Sequence, residues 1–575
     1  MSKYIAITFS PVQSFIEKSR KLRDLYGASQ ILSDLTSTIV THRPEQYHLI
    51  SPGLLNSQQG MPNRVLLKID SEIQSSSSEE IIAELQRAFL NRWKNILATC
   101  RKWVENALAP YYRSSEWNWQ KSWKKWERRT WEFFWGIGDD LESAMVDLEN
   151  RKLARNWQGV NWVGESSSLS GTDAIAWYGM DRENQDMKTL DWSEEDRHIA
   201  LFYRRLAFLL DGVNDPDGQP KDRQPEGKYI DGNERLNIPE LTKRLITLPH
   251  IARSLGVELP EELRQRGFRD LIRRPQDNPA SVGQKTGWFM GDGDKVGDYL
   301  KNLGSDQKIR DFSKIMRQWG QQFQRDFNQT ELGRIIYAGG DDFLGIVYNS
   351  QFPDPQLDSI EIDRVFHWLQ TLDQQWKTGK TEEINQRVTL SLGFVWAAHS
   401  IPQRDVLQHC REAEQRSKKL GRDRLTIRVL FNNGQYVQWT TRWKYLNTLN
   451  HYRDRDGGKN WGHIYSDFAR LKARHAFGLG YLDNPRSHSD GADSKILDNL
   501  STLLQFFDLY FSGYKEILEK EDDQIVSLPK DAPSKDYARA IIRWIDELIA
   551  IGWHLSIGET SKNNPKSESI VYCLS

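Results

Sequence analysis

Cysteine is scarce in this chain: Cys100, Cys410 and Cys573 are the only three among 575 residues, and they lie far apart. That spacing excludes a disulfide framework and any zinc site built on paired thiolates. Long apolar runs are missing as well, so no segment reads as a bilayer-spanning helix. The N-terminus starts directly as a strand-like run, so no signal peptide is expected, and the reading is cytoplasmic. An excess of one charge is also absent, since 78 Lys and Arg stand against 79 Asp and Glu, a formal net charge of −1. Such a balance gives no whole-surface attraction for nucleic acid, although local basic patches still can. None of the twelve histidines is followed by aspartate. What remains is ample for folding: 38% apolar residues and a length that implies several domains.

Acids and glycines at the ends of apolar runs carry the chemistry. Gly339-Gly340-Asp341-Asp342-Phe343 separates the run 334–338 from the run 344–348. Two β-rich runs joined by Gly-Gly and paired acids predict a hairpin with carboxylates at its tip. Adjacent carboxylates repel unless a cation lies between them, which points to metal binding. Alone, the motif suits a surface hairpin equally well. A second cluster shifts the balance: Trp288-Phe289-Met290-Gly291-Asp292-Gly293-Asp294 reads as a buried strand delivering Asp292 at its end. If the strand lies beside the hairpin, Asp292 and Asp341 share a divalent cation, Mg2+ or Mn2+, hard ions that favour oxygen ligands and substrate phosphates.

From Lys285 the pattern predicts a strand over 285–292, helical spacing over 295–327, the hairpin at 334–348 and a helix from Ile360 to Trp376. A strand over 387–395, a helix over 403–421 with Gly421 as its cap, and a strand over 425–430 complete the set. This is a ferredoxin-like β-α-β-β-α-β order with one added helix and strand.

The strand ending in Asp-Gly-Asp, the Gly-Gly-Asp-Asp hairpin, the Ser391-x-Gly393 strand, and a helix with Ala413-Glu414 and Ser417-Lys418 before Gly421-Arg422 together resemble a polymerase/cyclase palm. The N-terminal run Ile5–Ile16 continuing through Ser19–Ser29, and Gly60-Met61-Pro62-Asn63-Arg64 before the strand 65–69, resemble the first palm of the large subunit of type III-B (Cmr) CRISPR effector complexes. The resemblance covers most of residues 1–430. It implies an α+β chain with two ferredoxin-like palms, an intervening α-rich insert and a C-terminal helical domain. The expected division is 1–100 for a first palm without metal acids (part of which continues after the insert), 101–284 for the helical and linker region, 285–432 for the second palm and 433–575 for the helical end.

The resemblance further implies target-RNA-activated synthesis of cyclic oligoadenylate from ATP. Asp292, Asp341 and Asp342 would be catalytic, with the Gly293 carbonyl as a further metal ligand. Gly339, Gly340, Lys418 and Ser391 would contact nucleotide, and Ser10, Gln13 and the segment Arg20–Arg23 would frame an acceptor ATP. Its partners would be other Cmr-type subunits, guide CRISPR RNA and target RNA, with no membrane. The missing His-Asp pair implies a form without the N-terminal nuclease domain. Related subunits often carry a four-cysteine zinc module between the palms. Here the corresponding stretches, 165–171 and 234–240, hold no cysteine, so zinc is not expected. A non-catalytic scaffold and a diguanylate-cyclase-like enzyme are the rival classes.

Two basic patches interest the same question. Residues 264–274 carry five arginines, which read as a solvated face. Arg453, Arg455, Lys459, Arg470, Lys472, Arg474 and His475 interleave with Tyr452, Trp461, Tyr465 and Phe468. This second patch reads either as an RNA track with stacking rings or as a helical face whose long cations cover apolar surface. Seven tryptophans crowd 103–135 at spacings that suggest core or a subunit interface. The polar stretches 211–233 and 483–494 read as loops.

Overall fold

A computed structural model describes residues 3–55, 60–69, 77–112, 119–155, 162, 164–177, 191–211, 229–260, 263, 271, 285–349, 360–474, 476, 492–520, 522–526, 528 and 532–557. The arginines of 264–274, His475 and most of the two polar stretches lie outside them.

The first sheet has four strands: β1 (Lys3–Ser10), β2 (His48–Ser51), β3 (Arg64–Ile69) and β4 (Glu132–Gly138). Its order is β2-β3-β1-β4, with β1 antiparallel to both neighbours, so that Ile5 pairs with Leu67 on one side and Ile137 on the other. The second sheet has six: β5 (Thr286–Gly293), β6 (Gly333–Ala338), β7 (Asp342–Val347), β8 (Leu390–Ala397), β9 (Arg424–Leu430) and β10 (Tyr436–Arg442). Its order is β10-β9-β8-β5-β7-β6. In each sheet the first four strands follow the ferredoxin-like order in which the first lies between the third and fourth. The duplication is thus visible in topology although no repeat is visible in sequence.

Two boundaries move. The first sheet needs β4 as its edge, so it extends past residue 100, and the helices Ser78–Ala107 and Gln120–Arg129 form the connection to it. The second sheet extends past residue 432 because β10 pairs with β9 along its whole length. The tryptophans of 103–135 share no single helix. Trp119, Trp123 and Trp131 are buried, and Trp131 packs edge-on to Trp93 at 5.7 Å, which makes them core.

β5 alternates as a strand covered on both faces must. Trp288 joins a core shared with the helix Leu22–Thr41 of the first half. Phe289 joins a core running through the helices Asp306–Gln329 and Ile362–Lys377 to the C-terminal helix Ser534–Leu555. The cysteine-free stretches 165–171 and 234–240 do meet, held by polar contacts. The Ser168 amide donates to the Arg235 carbonyl at 2.8 Å, and Arg235 pairs with Glu165 and, at 2.8 Å, with Asp196. Among the described residues no helix is long and apolar enough to cross a membrane.

Candidate functional site

The acids converge because of strand register. Asp292, one residue before the end of β5, lies directly opposite Asp342 on β7. Opposed antiparallel residues point to one face with Cβ atoms ~5 Å apart. The Gly293 amide donates to the Asp341 carbonyl at 2.9 Å, which draws the hairpin tip against the strand end. Space at Gly293 is tight, since a Cβ would stand 3.1 Å from that of Asp341, so a larger residue would press on the hairpin tip. Gly340 takes φ of +152° with no atom within 4 Å of a Cβ position, so the tip opens onto free space.

Burial and mutual repulsion set the electrostatics. Burial and then Asp292 push Asp341 up to about 6. Burial, then Asp341 and Asp292, push Asp342 up to about 7. Asp342 is nevertheless exposed to solvent, which screens these interactions. Burial also raises Asp292, against the pull of Lys418. The Lys418 ammonium lies 2.5 Å from Asp292 and 2.6 Å from Glu414, and its own pKa is raised by these carboxylates in spite of burial. Asp292, Asp341, Asp342, Gly293, Gly339, Gly340 and Lys418 therefore share one locality.

Three further groups lie at this locality, of which Arg317 and Lys380 carry no sequence signal and Asp294 reads in sequence only as the end of the Asp-Gly-Asp run. Asp294 is buried and accepts hydrogen bonds from Thr389 and Ser391 at 2.8 Å and from the Asp423 amide at 3.0 Å, so it fastens the strand ends instead of facing solvent. Arg317 reaches from its helix to the carbonyls of Gly339 (2.9 Å) and Gly60, tying the hairpin to the first half of the chain. Lys380 lies 3.2 Å above the Trp376 ring, and burial lowers it to about 6, with the charge of Asp341 acting in the opposite sense.

Three hard carboxylates with raised proton affinity form a donor set that fits a divalent cation. Their oxygens do not all close within 4.8 Å of one another. Lys418 holds the Asp292 carboxylate, standing where a cation's charge is needed.

Patterns of known families decide the kinship. Residues 285–426 match the second palm domain of Cas10/Cmr2, and residues 4–98 match the N-terminal domain of the CRISPR-associated protein Cmr2. The chain thus carries the N-terminal and second palm domains of a Cas10/Cmr2-type large subunit. No curated protein matches it in sequence. Among solved structures, a type III-B Cmr-beta complex in its apo state aligns at 10% identity over 96% of this chain and 82% of that one, with a TM-score of 0.51, which establishes a shared fold. A Csm1–Csm4 cassette in complex with one ATP aligns at 14% identity over 97% and 70%, TM-score 0.42. The same cassette in complex with cA4 aligns at 12% over 97% and 70%, TM-score 0.41.

Within this Cas10/Cmr2-type chain, several expected contacts fall elsewhere. Ser391 is fully buried and spends its hydroxyl on Asp294, because its place on the central strand β8 leaves it no solvent face. Arg23 is buried over the Tyr229 ring at 4.2 Å, and Arg20 lies 3.6 Å from Glu234, so the segment 20–23 secures the insert. Ser10 ends β1 opposite Glu132, and Gln13 starts the short helix Gln13–Glu17, whose Glu17 pairs with Arg411 of the second palm. The patch at 453–474 is not an RNA track with stacking rings. Tyr452 and Trp461 stack on each other at 4.1 Å inside the core, while Arg455 pairs with Asp467 and Lys472 with Asp546.

Proposed function

We propose that this chain is the nucleotidyltransferase subunit of a type III-B RNA-guided complex, making cyclic oligoadenylate from ATP when target RNA binds. The observation that carries this reading is the register that sets Asp292 opposite Asp342 with Asp341 beside them at an open hairpin tip. When bound at Asp292, Asp341 and Asp342, divalent cations (Mg2+ or Mn2+) supply charge stabilisation to the attacking and leaving oxygens of an in-line displacement.

The chain's own groups do the rest. Lys418, released from Asp292, contacts the triphosphate as a point charge. Gly339 and Gly340 let the nucleotide approach the backbone. The 3′-oxygen of one adenosine bonds to the α-phosphorus of the next ATP, the α–β phosphoanhydride bond breaks, and pyrophosphate leaves. Asp342 either completes the metal site or assists in taking the hydroxyl proton. Other Cmr-type subunits, guide RNA and target RNA are the partners this reading requires.

A nucleotide-binding scaffold is the second reading, favoured by the Lys418–Asp292 contact that fills the acid site. Asp341→Ala with Asp342→Ala, in the assembled complex with target RNA, ATP and Mg2+, is expected to abolish pyrophosphate release while assembly persists. Product from the double variant overturns the site, and wild-type complex without turnover supports the scaffold. Competition between ATP and GTP separates the diguanylate-cyclase alternative.

A further inference from the structure

The helix Gln120–Arg129 carries two opposed faces. Trp119, Trp123 and Trp126 turn inward, with the Trp93 indole donating to the Trp126 carbonyl at 3.1 Å. Lys121, Lys124, Lys125, Arg128 and Arg129 follow the spacing i, i+3, i+4, i+7, i+8, and all five are exposed. They line one concavity of ≈ 360 Å³ on the surface.

This arrangement works against the isolated helix. Lys121–Lys125, Lys124–Arg128 and Lys125–Arg129 are like-charge pairs at i, i+4, each destabilising by roughly 0.2–0.5 kcal/mol. Lys124, Lys125 and Arg128 have no ion-pair partner among the described residues. In a chain of net charge −1 the concentration of five cations along ~12 Å of helix is local, not a by-product of composition. The ridge also carries no apolar anchor, and protein interfaces are depleted of lysine at their cores. Evenly spaced charge without an anchor suits the phosphates of a flexible strand.

We propose that this ridge binds the sugar-phosphate backbone of single-stranded RNA, as a surface separate from the acid centre. The choice of RNA rests on the reading above; the phosphate chemistry stands without it. Binding is measured on the full chain by fluorescence anisotropy, with a single-stranded RNA of about twenty nucleotides and no ATP or divalent ion, so failure here leaves the nucleotidyl-transfer reading untouched.

The test is the triple variant Lys124→Ala, Lys125→Ala, Arg128→Ala, which relieves repulsion on a solvent face and is expected to melt no lower than wild type. Affinity for RNA should fall tenfold or more at about 100 mM salt, and the slope of log K against log[salt] should shrink by about 2, at roughly 0.7 per lost phosphate contact. Unchanged affinity and slope, or absent binding by wild type at low salt, overturns the proposal. So does a loss confined to single-stranded DNA or to polyglutamate, which would assign the ridge to another partner.

Discussion

Asp342 concentrates the physical cost of the acid centre. Its carboxyl is pushed from an ordinary 3.8 to about 7, so between about pH 4 and 7 the folded chain keeps a proton that the unfolded chain has released. Stability therefore falls as pH rises through that window and is fully present only below it. Asp342→Asn removes the loss: without metal at pH 8 it should melt slightly higher than wild type, by an amount that solvent screening of this exposed side chain keeps small, and below pH 4 the two should coincide in a thermal scan. The same protons compete with metal. Mn2+ affinity, followed by titration calorimetry, should weaken at least about tenfold from pH 8 to pH 6, since the ligands must be ionised to bind. A flat profile would mean the carboxylates are not the ligands.

At the scale of elements, the hairpin β6–β7 is held from outside as much as from within. Arg317 is buried and donates to the carbonyls of Gly339 and Gly60, and burial lowers it to about 10. Arg317→Met leaves those carbonyls unpaired and should cost about 2–3 kcal/mol in a urea titration, because hydrogen bonds to a charged group are the stronger kind.

That clasp was not legible in the sequence, since Arg317 sits among other polar residues of an amphipathic helix and its partners lie far off in the chain. The hairpin and the strand ending in Asp292 were legible because both are apolar runs stopped by glycine and acid. Strand pairing then fixed the meeting of Asp292 with Asp342. Ser391 misled for the opposite reason: a strand pattern does not tell a solvent-facing hydroxyl from one consumed by a buried aspartate. Likewise Tyr452 and Trp461 sit among cations in sequence but turn into the core, as amphipathic segments do. The short helix Glu382–Arg387 also displaced the expected start of β8 to Leu390.

Across the whole molecule, one apolar core runs from Phe289 of the second palm to Ile557, just past the helix Ser534–Leu555. The Trp461 ring stands against Gly552 so closely that a Cβ there would lie 2.1 Å from it. Gly552→Val should therefore lower the unfolding midpoint of the palm together with that of the C-terminal helices, as one transition seen by near- and far-UV circular dichroism. Separate transitions would show the helical end to be an independent unit. The first palm joins the assembly through Gly60, which abuts Tyr337, and through the Glu17–Arg411 pair, so the acid hairpin sits where the two halves meet.

Mass spectrometry of the small molecules formed from ATP by the assembled complex tests the acid centre most directly. Cyclic oligoadenylate that appears with target RNA and divalent metal, and vanishes with Asp341→Ala and Asp342→Ala, is the predicted result. ATP returned unchanged by wild-type complex, or product made equally by the double variant, would contradict it.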